Sequence, residues 1–208
     1  DPINTSYYDP GFFALYEAII TRDPDRQWVA EIAETWGPSA DGLSWTFKIR
    51  PNLKFHSGAA LDAQAIADVF NAIIDPASGS PQIPQWGPVS GSKAVDATTL
   101  QVDLKHTFAN LPNVISTGFS RIVNMQKRAE LGADYAKQVI DGSGPFEFVE
   151  WVPGDRVSVK RWEDYPGAII PFIANKGPAY LDGIRWTYVA EAATRALSIQ
   201  GGELDTLK

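Results

Sequence analysis

The segment Leu43-Ser44-Trp45-Thr46-Phe47-Lys48-Ile49-Arg50 alternates apolar and polar side chains without a break. An extended chain places every second side chain on one face, so this run predicts a strand with one buried face. Asp41-Gly42 before it reads as a turn, and Pro51 closes it. The period then changes. Asp62 can cap a helix whose apolar stripe is Ile66, Val69, Phe70 and Ile73, and Asp75-Pro76 ends it. Any fold for this chain must therefore combine half-buried strands with amphipathic helices.

The rest of the chain continues the mixture. Asp9 is a good N-cap and Pro10 suits a first helical position. Phe12, Tyr16, Ile19 and Ile20 then predict a helix that runs to Asp23-Pro24. Residues 76–91, rich in Pro, Gly and Ser, read as a long loop. Leu100, Val102 and Leu104 predict a strand after a turn at Asp96 to Thr98. Phe108, Leu111, Val114 and Ile115 suggest a short helix interrupted by Pro112, and residues 126–138 a longer one. Phe146 and Phe148 pair with Val157, Val159 and Arg161 as a hairpin about Pro153-Gly154. A second Pro/Gly-rich loop covers 166–178. Ile184, Trp186 and Tyr188 predict a strand, and 192–200 a helix ended by Gly201-Gly202. There is no internal repeat and no strict βαβ rhythm, so the expected class is α/β in the sense of mixed α and β.

Composition narrows the function. Of 208 residues, 44% are hydrophobic and 21% charged, which predicts a folded globular chain. Lys plus Arg is 18 against 25 for Asp plus Glu, a net charge of −7. No run of five like charges occurs, and nothing clusters Lys and Arg as a phosphate-tracking surface requires, so nucleic acid is not an expected partner. Cysteine is absent, which removes disulfides and thiolate metal sites. No apolar stretch approaches 18 residues, so the chain is not expected to span a membrane. The two histidines, His56 and His106, have no acidic or Cys cluster to complete a zinc site, and structural roles are expected for both. No nucleophile elbow, zincin or P-loop pattern occurs. No cofactor, metal or enzymatic activity is expected.

Seven short segments, in order, resemble one family. They are Ala33-Glu34-Thr35-Trp36 followed by Asp41-Gly42-Leu43-Ser44-Trp45-Thr46-Phe47-Lys48-Ile49-Arg50; Phe55-His56-Ser57-Gly58; Leu61-Asp62-Ala63; Gly142-Ser143-Gly144-Pro145-Phe146; Glu150-Trp151-Val152-Pro153-Gly154-Asp155; Tyr180-Leu181-Asp182-Gly183-Ile184; and Gly202-Glu203-Leu204-Asp205. This set resembles the extracellular solute-binding proteins of family 5, the oligopeptide-, dipeptide- and nickel-binding type of ABC importers. Two places depart from the family pattern. Trp162-Glu163-Asp164-Tyr165-Pro166 follows the hairpin where the family has an Asn-Pro-Asp-Tyr-Trp run, and Ala65 stands where an acidic residue is usual.

The resemblance implies a periplasmic-binding-protein-like type II fold, of which this chain is the N-terminal lobe with an inserted subdomain. Residues 1–20 plus 126–208 are expected as the first part of lobe I and 21–125 as the insertion. The second lobe is absent, so the chain is expected to carry at most half of a divided site. The implied function is capture of a peptide or similar small solute and its delivery to ABC permease subunits in the membrane. The implied location is periplasmic or extracytoplasmic, with a membrane anchor through a missing N-terminus as one option. A receptor for a metal chelate, an oligosaccharide or an opine is the alternative on the same fold, and a hydrolase or a sensory domain the alternative of a different class.

Three residues are candidates for ligand contact. Trp86 lies in the long loop after the second helix, where an aromatic face can stack on a ligand or anchor the loop to its own domain. Arg121 follows Phe119-Ser120 and can grip a carboxylate bidentately or form a salt bridge; an Arg at the similar point faces the ligand in the nickel-binding branch. Tyr7 and Tyr8 cannot both point one way along an extended chain, and Tyr8 is favoured. Asn4 and Thr5 beside them offer polar contacts.

Overall fold

The computed structural model describes residues 1–4, 11–135 and 137–206. In chain order the first elements are α1 (Gly11–Leu15), β1 (Ile20–Arg22), β2 (Trp28–Ala30), β3 (Ala33–Pro38), β4 (Ser44–Ile49) and α2 (Ala63–Ile74). They are followed by α3 (Ile83–Trp86), β5 (Val89–Asp96), β6 (Thr99–Leu104), α4 (Leu111–Ile115) and α5 (Met125–Leu131). The chain closes with β7 (Phe146–Val152), β8 (Arg156–Arg161), β9 (Gly183–Thr187) and α6 (Ala192–Gln200).

The alternating run is the centre of an antiparallel sheet ordered β3-β4-β6-β5. Phe47 pairs with Leu100 and Trp45 with Val102, so each strand's apolar side chains meet across the ladder. The stripe Ile66, Val69, Phe70 and Ile73 of α2 is fully buried beneath this sheet. Asp62 caps the helix, accepting from the Ala65 amide at 2.9 Å. Asn71 fixes the helix against β5: its side chain donates to Ser92 O at 2.9 Å and accepts from Ser92 N at 2.8 Å.

The second sheet is β7-β8-β9, all antiparallel. The β7–β8 hairpin turns at Gly154, whose φ of 76° suits glycine. Phe148, Val159 and Ile184 lie side by side across it. A single buried core runs from the first sheet through α1 to Phe146 and Val159 of the second.

Several elements differ from the spacing rules. The helix expected from Phe12 to Asp23 ends at Leu15, and Ile20–Arg22 pairs with Trp28–Ala30 instead. Every residue from Ala14 to Ile20 is buried, so the run satisfies helical and extended periods alike and spacing cannot decide between them. The Asp9 cap and Pro10 lie outside the described residues. Within the loop expected over 76–91 the chain forms α3 and opens β5. β5 carries few apolar residues and is an edge strand, held by its pairing with β6. Pro112 sits in the first turn of α4, where no amide is needed, so it starts the helix rather than interrupting it. The helix expected over 126–138 stops at Leu131 and continues as a 3-10 turn, Gly132–Asp134.

One segment, 141–145, joins the two halves. Gly144 N donates to Leu15 O at 3.0 Å, and Gly142 O accepts from His56 N at 2.8 Å. Gly142 N donates to His56 Nδ1 at 3.3 Å, which leaves the ring proton on Nε2 to bond Gly144 O at 2.9 Å. Burial lowers the His56 pKa, in keeping with a neutral ring. Asp141 accepts from Ser57 N and Oγ at 2.9 and 2.7 Å and from Asn124 at 2.7 Å. A Cβ at Gly142 would collide with the Leu15 carbonyl, and one at Gly144 with the Ala14 carbonyl. The two glycines are required by this close approach.

Gly142→Ala is expected to destabilise the protein by about 1–3 kcal/mol, because the overlap is with backbone that must shift. Gly37→Ala, in a position with open space around it, is expected to change stability by less than about 0.5 kcal/mol. Urea denaturation of both variants measures the contrast.

Candidate functional site

Below the second sheet, five side chains from distant segments converge. Glu17 follows α1, Glu31 lies between β2 and β3, Arg50 follows β4, Arg121 precedes α5, and Tyr165 follows β8. Glu17, Glu31 and Arg121 are 5%, 4% and 2% exposed. Charges survive such burial only when paired and hydrogen-bonded. Arg121 Nη1 lies 2.6 Å from Glu31 Oε1 and also donates to Tyr16 O at 3.1 Å. Glu31 Oε1 further accepts from Ala18 N at 3.0 Å. Tyr165 donates to Glu17 Oε1 at 2.9 Å, and Arg50 Nη2 stands 3.7 Å from the same oxygen. Arg50 Nη1 donates to Gly167 O at 3.1 Å.

The titration of the pair follows from this placement. Burial raises the Glu17 carboxyl to about 7, helped by repulsion from Glu31 and opposed by Arg50, Tyr165 and Arg121. Burial also raises Glu31, against the attraction of Arg121 and the Ala18 amide. The Tyr165 hydroxyl is pushed well above its usual range by burial and by Glu17.

Above these groups opens a cavity of about 350 Å³. Glu17, Glu31 and Tyr165 are on its floor, and the walls are apolar, with Phe13, Phe146, Ile173 and Ile184 among them. The 166–181 loop forms one side. It is tied to itself by Ile173 N to Ile170 O at 3.2 Å and Lys176 Nζ to Ile170 O at 2.7 Å. The arrangement can hold a small molecule with an apolar body. No group of three or more potential metal ligands occurs among the described residues.

The sequence candidates fall in different places. Tyr8, with Tyr7 and Thr5, lies outside the described residues, and the side chain of Asn4 is also undescribed. Trp86 is 1% exposed and packs edge-on against Phe70, ring centroids 4.7 Å apart. It anchors α3 to α2 and presents no open aromatic face. Arg121 lies beside the cavity with its guanidinium 4.4 Å over the Phe13 ring, but Glu31 and the Tyr16 carbonyl take its Nη1. Spacing did not single out Glu17, Glu31 or Tyr165. The signal available was an acidic residue inside the apolar run Phe12 to Ile20, and another directly before Ile32-Ala33.

A carboxyl raised on folding makes the folded state bind more protons than the unfolded one, so its contribution is full below the unfolded value and is lost as pH rises through the folded value. Glu17→Gln removes that dependence. Stability of the variant relative to the parent is expected to rise between about pH 4.5 and pH 7, by about 3 kcal/mol in all. Denaturation curves at several pH values test the sign; a flat difference would contradict the placement of Glu17.

The model of "bacterial extracellular solute-binding proteins, family 5 Middle" matches residues 27–208. The glutathione-binding protein GsiB of Pectobacterium atrosepticum is 27% identical over 190 residues, covering 91% of this chain and 35% of that protein. The chain thus spans about a third of the length of the curated relatives it matches. The mannopinic acid complex of MoaA from A. tumefaciens R10 superposes with a TM-score of 0.85 at 26% identity, over 99% of this chain and 41% of that one. A dipeptide-binding protein from Pseudoalteromonas sp. SM9913, solved with Met-Leu, gives a TM-score of 0.84 at 20% identity, over 99% of this chain and 44% of that one. With the match covering most of its residues, the chain belongs to the bacterial extracellular solute-binding proteins of family 5.

Proposed function

We propose that this chain is part of the substrate-binding component of an ABC importer, working in the periplasm or an equivalent extracytoplasmic space. It captures a peptide or similar small solute and hands it to permease subunits in the membrane. The observation that carries this reading is the family match over residues 27–208. Among the described residues no helix is long and apolar enough to cross a membrane, which fits a component that meets its permease from outside the bilayer.

The ligand is enclosed between this lobe and a second one. Closure is a hinge motion stabilised by contacts made only in the closed state, and no covalent step is involved. In this reading the protein is not an enzyme. The lobe divides into 1–20 plus 126–208 and an inserted 21–125; in support, the β3-β4-β6-β5 and β7-β8-β9 sheets are separate. Tyr8 keeps its place as a ligand contact by family resemblance, and Arg121 acts from beneath the surface by holding Glu31 and Phe13. An opine is the second reading, favoured by the MoaA superposition.

Calorimetry of the full-length gene product with glutathione, Met-Leu and mannopinic acid tests the proposal. Saturable binding of one class with the ligand recovered intact is expected; consumption of the ligand, or no binding to any small peptide or amino-acid derivative, would overturn it. The 208-residue chain is expected to bind the same ligand about 100-fold more weakly or worse. Losing two charge-assisted hydrogen bonds, at roughly 1.5–3 kcal/mol each, suffices for that. Equal affinity would place the whole site within this chain.

A further inference from the structure

We propose that the cavity above Glu17 and Glu31 is a small-molecule site of its own, which takes an organic ammonium with an apolar body. The assignment rests on this chain's residues and stands apart from the importer reading.

Three features point to that ligand class. First, the cavity of about 350 Å³ lies within the range of pockets that hold compact ligands. Its walls are apolar: Phe13 and Phe146, then Ile170 and Ile173 from the loop, then Leu181 and Ile184. They fit a hydrocarbon or aromatic body.

Second, the polar floor carries an unused acceptor. Glu31 Oε1 is taken by Arg121 and the Ala18 amide, but Oε2 is buried without a hydrogen-bond partner. The Glu31 side chain is 5% exposed and lines the cavity. A buried carboxylate oxygen with no donor is costly; this one is closed to solvent, so a ligand's donor reaches it only when the Glu31 side chain turns toward the cavity. Glu17 stands on the same floor and adds negative charge when ionised.

Third, the cations of the cluster stand behind the carboxylates. Arg50 and Arg121 do not line the cavity, and no lysine or arginine is among the described residues that do. A ligand therefore meets two carboxyls, Tyr165, Tyr180 and Asn175 but no cation, which favours an ammonium and disfavours a carboxylate of the same shape.

The test compares three isosteric probes on the 208-residue chain by calorimetry or ligand-observed NMR: phenethylamine, phenethyl alcohol and phenylacetate. Saturable binding of the amine is expected, with the alcohol about tenfold weaker or more and the acid silent. Glu31→Gln is expected to weaken the amine by at least about tenfold. Because that variant strands Arg121, Leu181→Trp provides a second arm. Leu181 is 62% exposed at the rim, so a larger ring there is expected to block the cavity while leaving the thermal melt unchanged. No saturable response to the amine, equal binding of all three probes, or amine binding unaffected in Leu181→Trp would overturn the assignment. Peptide capture by the full-length product could survive that result, so the two readings fail separately.

Discussion

The fold closes around two carboxylates and two guanidiniums that have left water. Glu17, Glu31, Arg50 and Arg121 come from four segments, and Tyr165 from a fifth. Burying an ion costs several kcal/mol, and only geometry recovers it: here a 2.6 Å Arg121–Glu31 contact, a tyrosine donor on Glu17 and backbone groups at Ala18, Tyr16 and Gly167. The compensation is partial, since Glu31 Oε2, Arg50 Nε and Nη2 and Arg121 Nε are buried without hydrogen-bond partners, and what there is requires all the groups in place. The cluster therefore couples α1, the β2–β3 turn, the end of β4 and the segment after β8 into one arrangement. Removing Glu31 or Arg121 would leave the other as a buried, unanswered charge, at roughly 3–5 kcal/mol.

Close packing beside the cluster works by a different means. The 141–145 segment is pressed against the backbone at the end of α1, where only glycine fits. From there the chain enters β7, and β8 leads on to Trp162 and Tyr165. Trp162 packs edge-on against His56, ring centroids 4.9 Å apart. His56 in turn holds Gly144. The two sheets are thus joined through backbone hydrogen bonds and one neutral imidazole, while the ionic cluster sits beneath. The cavity exists because the 166–181 loop closes on itself, with Gly167 at φ 86° tight against Lys176 and Gly177, instead of filling the space above the carboxylates.

How legible each element was follows from how it is held. The Ser44–Ile49 strand and the Ala63–Ile74 helix were readable because each buries one face, and a one-faced element writes its period into the sequence. The hairpin about Pro153-Gly154 was readable from its turn residues. β1 was not, because Ala14 to Ile20 is buried on every side and carries no period. β5 was not, because an edge strand with little apolar content is specified by its partner β6. The same division holds at the site. Arg121 attracted attention as a cation between apolar neighbours, yet its role is set by Glu31, ninety positions earlier in the chain. Trp86 looked available in a loop and is instead core, because α3 and Phe70 enclose it.

By itself the sequence determined the mixed α and β class, the positions of the one-faced strands and helices, and, through seven ordered motifs, the family. These are properties of local period, turn chemistry and linear pattern, which survive without a tertiary context. Only the tertiary structure decided that Glu17, Glu31, Arg50, Arg121 and Tyr165 share one buried floor, that Gly142 and Gly144 are demanded by Leu15 and Ala14, and that a cavity opens above two carboxylates. Each of these depends on contacts between residues far apart in the chain. Desolvation and steric overlap act on distances in space, and no spacing rule along the sequence carries that information.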